Sequence, residues 1–273
     1  MTVTLDAAAV VARLRAAGCV FAEDEADLLM QAARDEAPGE TEYPQVLDAM
    51  VTRRCAGEPL EQIVGWAAFA GLRIAVGPGV FVPRRRSEFL LALAVDLGRD
   101  GGAEVVVDLC CGVAPLATAL AAELPEARIH AADIDVTQTA YARRNLAGYG
   151  PRAQVHVGDL FEALPAHLAQ SVDLLVVNAP YVPTAAIATM PAEARVFEPH
   201  TSLDGGADGL AVQRRVAAGA PAWLAPGGHL LIETSRRQAE DTHAAFVAAG
   251  LQTRTVSDED LEATVVIGQR PAT

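Results

Sequence analysis

The chain has 273 residues, 51% hydrophobic and 21% charged, which excludes a disordered, collagen-like or disulfide-built protein and leaves room for one large domain with an appendage. All 21 basic residues are arginines. Against 35 acids they leave a formal charge of −14, which repels phosphate backbones and makes direct nucleic-acid binding an unfavoured reading.

Further classes fall on local grounds. The longest apolar run, Val105 to Leu124, contains Asp108 and Pro115 and reads as strand, turn and helix rather than as a membrane span. The opening MTVTLDAAAVVARL has Asp6 early and no apolar core framed by basic residues, so it does not read as a secretory signal and a cytoplasmic location is expected. Cys19, Cys55, Cys110 and Cys111 have no CxxC spacing and read as small fillers, with no metal site.

In chain order, Ala7 to Ala17, Glu23 to Ala33 and Tyr43 to Cys55 carry apolar stripes and read as a small bundle of helices, broken by Ala37-Pro38-Gly39. Residues 67–82 hold two apolar stretches around Gly77-Pro78-Gly79 and read as a hairpin or linker. From residue 89 the pattern alternates. Strands are expected at 105–108, 128–133, 153–157, 171–177 and 228–233, with closing strands at 252–256 and 264–267. Helices are expected at 115–123, 137–149 and 239–249. Such alternation implies an α/β fold with a mostly parallel sheet covered on both faces. The expected division is a helical domain at 1–66, a hairpin linker at 67–82 and the α/β domain at 83–273.

Ligands in open α/β sheets sit outside the carboxyl ends of strands. Three strand tips here carry acids. The first runs Asp108-Leu109-Cys110-Cys111-Gly112-Val113-Ala114, a small-residue turn that lets backbone approach a ligand. The second ends in Asp133-Ile134-Asp135, placed to accept ribose hydroxyls. The third ends in Gly158-Asp159-Leu160-Phe161, an acid for an exocyclic amine beside apolar cover for a ring. With one glycine in the first turn, a pyrophosphate cradle is missing. The set describes a nucleoside pocket that suits S-adenosylmethionine.

The fourth strand leads into Asn178-Ala179-Pro180-Tyr181. An amide nitrogen is a poor nucleophile because its lone pair is delocalised. Two acceptors gripping its N–H groups, the Asn178 side-chain carbonyl and the Ala179 main-chain carbonyl, can align it and stabilise the positive charge that develops on methylation. Pro180 holds the preceding residue extended, and Tyr181 can pack on the planar group.

With Glu58-Pro59-Leu60-Glu61-Gln62-Ile63-Val64-Gly65, Pro78-Gly79-Val80-Phe81-Val82-Pro83-Arg84, Glu198-Pro199, Leu203-Asp204-Gly205-Gly206 and Glu233, the chain resembles the protein glutamine N5-methyltransferase (PrmC/HemK) family, over nearly all of residues 58–233. The resemblance implies a class I, Rossmann-like S-adenosylmethionine methyltransferase sheet behind a helical substrate-recognition bundle, and a protein acceptor such as a peptide chain release factor. It implies cofactor contacts at Phe81, Arg84, Asp108, Cys110, Gly112, Asp133, Ile134, Asp159, Leu160 and Asn178, with Asn178, Ala179, Pro180 and Tyr181 as the catalytic motif.

The chain departs from that pattern at four places. Cys110 and Ala114 replace glycines of the first turn, and Ala179 replaces a proline. Pro83-Arg84-Arg85-Arg86-Ser87-Glu88 stands for Pro-Arg-Pro-Glu-Thr-Glu, and Leu261-Glu262-Ala263 stands where an Asp-Arg pair is usual. Arg85 and Arg86 read as solvated surface, or as groups meeting an acidic or RNA-like partner. Two other readings stay open: methylation of an exocyclic amine on a nucleobase or metabolite, and a non-catalytic cofactor-binding relative.

Overall fold

The computed structural model describes residues 6–272. Its first part is a helical bundle of α1 (Ala7–Ala16), α2 (Ala22–Glu36), α3 (Tyr43–Cys55) and the short α4 (Leu60–Val64). The Asp6 carboxylate caps α1 by accepting from the Ala9 amide at 2.8 Å. Glu23, Asp24 and Glu25 sit in the first turn of α2, where the helix dipole favours negative charge. Leu14, Leu29, Leu47 and Val51 fill the bundle core. At its edge Arg54 donates to Glu25 at 2.6 Å and reaches Glu193 of the helical segment Ala192–Phe197 at 3.4 Å. The paired carboxylates hold its charge against burial, raising its pKa.

A hairpin of β1 (Trp66–Phe69) and β2 (Leu72–Ala75) follows. It turns at Ala70-Gly71, both with positive φ, and not at Gly77-Pro78-Gly79, which lies beyond the second strand. Proline has no N–H for a ladder, so that segment leaves the sheet and leads to Phe81.

The remainder alternates as expected: α5 (Ser87–Gly101), β3 (Val105–Leu109), α6 (Pro115–Glu123), β4 (Arg128–Asp133), α7 (Val136–Leu146), β5 (Ala153–Val157), β6 (Val172–Val177), α8 (Ala192–Phe197), α9 (Ala211–Gly219), β7 (Leu224–Thr234), α10 (Ala239–Ala248), β8 (Gln252–Asp258) and β9 (Ala263–Gln269). The seven-stranded sheet has the order β5-β4-β3-β6-β7-β9-β8, with β9 antiparallel to its neighbours. Side chains alternate between two cores. Val106, Val176 and Leu231 pack under α5 and α6, while Val107, Leu175, Val177 and Ile232 pack with Val216 of α9 and Phe246 of α10.

Five elements differ from expectation. Helix α7 stops at Leu146 instead of 149, because Gly148, Gly150 and Pro151 cannot continue it and a 3₁₀ segment takes over. Strand β7 begins at Leu224, ahead of Pro226-Gly227-Gly228. Helices α4 and α8 are too short to show a period and were not expected, nor was α9, whose nine residues are of mixed polarity. Among the described residues no helix is long and apolar enough to cross a membrane.

Candidate active site

Strand order reverses between β3, which turns left to β4, and β6, which lies on its other side. Outside the carboxyl ends of these strands lies a cavity of about 630 Å³, lined by every sequence-predicted site residue except Asp108.

The turn after β3 explains its small residues. The three positions of the glycine pattern, Cys110, Gly112 and Ala114, have φ of 57°, 57° and 61°, while Cys111 and Val113 between them do not enter this region. A β-carbon in that conformation costs about 1–2 kcal/mol, so Cys110 and Ala114 hold their places against local strain. The two adjacent thiols part company: Cys110 lines the cavity and Cys111 is buried in the core under α6.

Asp108 lies behind this turn and not on the cavity wall. One oxygen accepts from the Ala117 amide at 3.1 Å, tying β3 to the first turn of α6, and the other has no partner among the described residues. Burial pushes its carboxyl up to about 8. At the tip of β4, Asp133 accepts from the amides of Gly112 at 2.8 Å and Asp135 at 2.9 Å, and burial raises its pKa. A carboxylate has about four lone-pair sites, so acceptor capacity stays available to a ribose. Ile134 forms an exposed apolar rim. At the tip of β5, Asp159 pairs with Arg215 of α9 at 2.7 Å, both half-exposed, and Leu160 sits at φ 50° against the cavity. Arg215 was not visible as a site residue because α9 itself was not.

The motif after β6 is held from three sides. The Asn178 amide nitrogen donates to Ser87 Oγ at 3.1 Å, which turns its carbonyl the other way. Among the described residues neither that carbonyl nor the Ala179 main-chain carbonyl takes a hydrogen bond. The 203–210 loop buttresses the turn: Val182 donates to Leu203 and Gly205 donates to Val182. A β-carbon on Gly205 would stand 2.7 Å from the Pro180 carbonyl oxygen, so only glycine lets the loop approach this closely. Gln238 donates to the Tyr181 carbonyl at 2.9 Å and so consumes it.

The near wall is the segment before α5. Phe81 donates its amide to Gln138, whose other end donates to Ser202. Arg84 lies 4.8 Å from the Phe81 ring centroid and donates to both oxygens of buried Glu198 at 2.6 Å. Burial raises the Glu198 pKa, against the opposing pull of Arg84. Arg86, expected to be solvated, instead lines the cavity and donates to the fully buried Glu233 at 3.1 Å beside the Tyr181 ring. Desolvating a carboxylate without a cation costs several kcal/mol, which draws Arg86 inward. Arg85 is exposed, as expected.

A family profile described as methyltransferase small domain matches residues 71–199. A release factor glutamine methyltransferase of Mycolicibacterium smegmatis is 37% identical over 266 residues, 93% of this chain and 92% of that one. One from Geobacter sulfurreducens is 38% identical over 201 residues, covering 74% of this chain and 69% of that protein. The chain belongs to the release factor glutamine methyltransferase family. It is an S-adenosylmethionine-dependent methyltransferase. A 4-amino-L-phenylalanine/4-methylamino-L-phenylalanine methyltransferase of Streptomyces pristinaespiralis is also similar, at 38% identity over 205 residues, 73% of this chain and 71% of that one. Among solved structures, a Pyrococcus furiosus methyltransferase (TM-score 0.55, 14% identity, 82% of this chain and 98% of that one) shares the fold. So does a Thermus thermophilus 16S rRNA methyltransferase in complex with AdoMet and guanosine (TM-score 0.52, 24% identity, 75% of this chain and 49% of that one).

The cavity fits the methyl donor on its own chemistry. Its volume falls in the range of about 300–1,000 Å³ of ligand sites. Spare acceptors on Asp133, an apolar edge at Ile134 and Leu160, and a small-residue turn without a phosphate cradle match a nucleoside joined to a cationic chain.

Proposed function

We propose that this methyltransferase modifies the side-chain amide nitrogen of a glutamine in a protein of the release-factor kind. One observation carries the reading: Asn178 Oδ1 and the Ala179 carbonyl, adjacent at the tip of β6 and free of any hydrogen bond among the described residues, form a two-point grip for an NH₂ group at the cavity wall.

Asp133 and Asp159, with Leu160, would hold the ribose and adenine of S-adenosylmethionine, and the Cys110–Ala114 turn would pass beneath its amino-acid chain. When bound, this cofactor supplies an electrophilic methyl group on a sulfonium. Asn178 and Ala179 accept the two amide hydrogens, so the nitrogen cannot rotate and its face is presented to the cofactor side. As nitrogen gains positive charge, both N–H bonds become better donors, so the grip tightens in the transition state. Removing one such preorganised partner costs about 10²–10³ in kcat. Pro180 keeps the Ala179 carbonyl extended toward the acceptor. Tyr181 covers the planar group, backed by Arg86 and Glu233. The nitrogen sheds its extra proton to solvent after transfer, so no strong base is required beforehand.

A protein acceptor of this kind places the reaction in the cytoplasm, and the net charge of −14 argues against nucleic acid as the acceptor. A second reading, methylation of an aromatic amine on a free amino acid, draws support from the Streptomyces pristinaespiralis relative named for that activity. The deciding experiment incubates purified release factors with the enzyme and labelled S-adenosylmethionine. The expected result is a mass gain of one methylene on a glutamine. Transfer to 4-amino-L-phenylalanine with none to any release factor would overturn the first reading in favour of the second.

A further inference from the structure

A recess of about 430 Å³ adjoins the cavity and shares Arg84, Arg86 and Tyr181 with it. Its other walls are Arg85, the segment around Arg236 after β7, and Glu262 in the β8–β9 turn. Four guanidinium groups therefore border one small concavity in a chain of net charge −14.

Their charges are not equally spent. Arg84 is answered by Glu198 and Arg86 by Glu233. Arg85 and Arg236 are exposed and form no salt bridge among the described residues. Glu262 is the one further acid on the wall, so the recess keeps a positive surplus. Arg86 meets Glu233 through Nε and also hydrogen-bonds the Tyr181 side chain, so it backs the recess while Arg85 and Arg236 carry its free charge. A solvated surface run would spread its charges outward. Here β7 brings Arg236 to the same opening as the residues before α5, beside the tyrosine that covers the acceptor.

We propose that this annex is an anion subsite for the methyl acceptor, in which Arg85 and Arg236, backed by Arg86, hold a carboxylate of the molecule that carries the methylated nitrogen. The proposal deepens the reading above and rests on it for the position of the nitrogen. Planar guanidinium groups match a carboxylate through paired N–H donors. Two sources supply that chemistry: an acidic side chain flanking a glutamine, or the α-carboxylate of a free amino acid bearing an aromatic amine.

The test titrates the full chain, saturated with S-adenosylhomocysteine, with two probe pairs at up to millimolar concentration. One pair is N-acetyl-aspartyl-glutamine amide against N-acetyl-alanyl-glutamine amide. The other is 4-amino-L-phenylalanine against its carboxamide. In the wild type the carboxylate member of one pair should bind about tenfold tighter, the worth of one charge-assisted contact. The pair that discriminates identifies the source. In the Arg85→Gln, Arg236→Gln double variant, whose exposed changes leave the fold intact, the preference should collapse. No preference in either pair, or a preference that survives in the double variant, overturns the proposal. So does displacement of the acidic dipeptide by single-stranded RNA but not by glutarate. These are binding readouts, so failure of the glutamine reading, seen as absent transfer to release factors, remains a separate result.

Discussion

Ser87 is 91 residues from Asn178 and 2% exposed, and among the described residues its hydroxyl is the one group that bonds the Asn178 amide. A buried neutral hydrogen bond contributes about 0.5–1.5 kcal/mol. With about 1.4 kcal/mol per factor of ten, this bond biases the amide up to about tenfold toward the orientation that presents its carbonyl. In Ser87→Ala the amide loses that bias, and the flipped orientation points N–H groups at the N–H groups of the acceptor. The expected kcat loss is up to about 2-fold, since an unbiased amide still presents its carbonyl half of the time, with the S-adenosylmethionine Kd unchanged because Ser87 does not line the cavity. Asn178→Ala removes the acceptor itself and should lower kcat by about 10²-fold or more. Ser87→Thr keeps the hydroxyl and should restore the wild-type rate. Steady-state kinetics on the methylated acceptor, with cofactor binding followed by calorimetry, separates these cases. A Ser87→Ala enzyme with wild-type kcat would refute Ser87 as a positioning residue.

Other consequences are equally open to measurement. A β-carbon at Gly205 would sit 2.5 Å from the Gly209 carbonyl oxygen and 2.7 Å from that of Pro180, both backbone atoms that no rotamer change can move aside. Gly205→Ala should therefore lose about 1–3 kcal/mol in denaturant unfolding and slow transfer by shifting the motif; a wild-type melt and rate would show that the loop does not buttress it. Cys110 is strained at φ 57°, and relief of about 1–2 kcal/mol should exceed the loss of one small, partly buried thiol, so Cys110→Gly should raise Tm and keep cofactor affinity. A lower Tm would contradict that balance. Asp108 titrates near 8 when folded and near 4 when unfolded, so the folded state binds the extra proton between these values. Its contribution is therefore full below about pH 4 and is lost as pH rises toward 8. Urea unfolding of the cofactor-free protein should show stability falling across this window, and Asp108→Asn should flatten the slope; parallel slopes in both proteins would exclude the assignment.

The local parts of the site were readable because their causes are local. A short apolar run ending in an acid makes a buried strand with a polar tip, and the residues at 110, 112 and 114 are small because each must adopt positive φ. The proposed acceptor motif, Asn178–Tyr181, is four consecutive residues. The misread places had no such signal. The hairpin turn at Ala70-Gly71 was overshadowed by the stronger glycine and proline pattern at 77–79, and α9, which supplies Arg215, is nine residues of mixed polarity.

What the residues determined by themselves is thus the order of the strands, the three acidic tips and the Asn178–Tyr181 turn, since all follow from backbone preference and near neighbours. Which charges meet was decided only by the tertiary structure. Arg84 finds Glu198 across 114 positions, Arg86 finds Glu233 across 147, and Asn178 finds Ser87. An arginine side chain looks alike in sequence whether it ends in water or on a buried carboxylate. Only the crossover that lays the segment before α5 over the ends of β6 and β7 desolvates those acids, and the desolvation penalty then selects the partner.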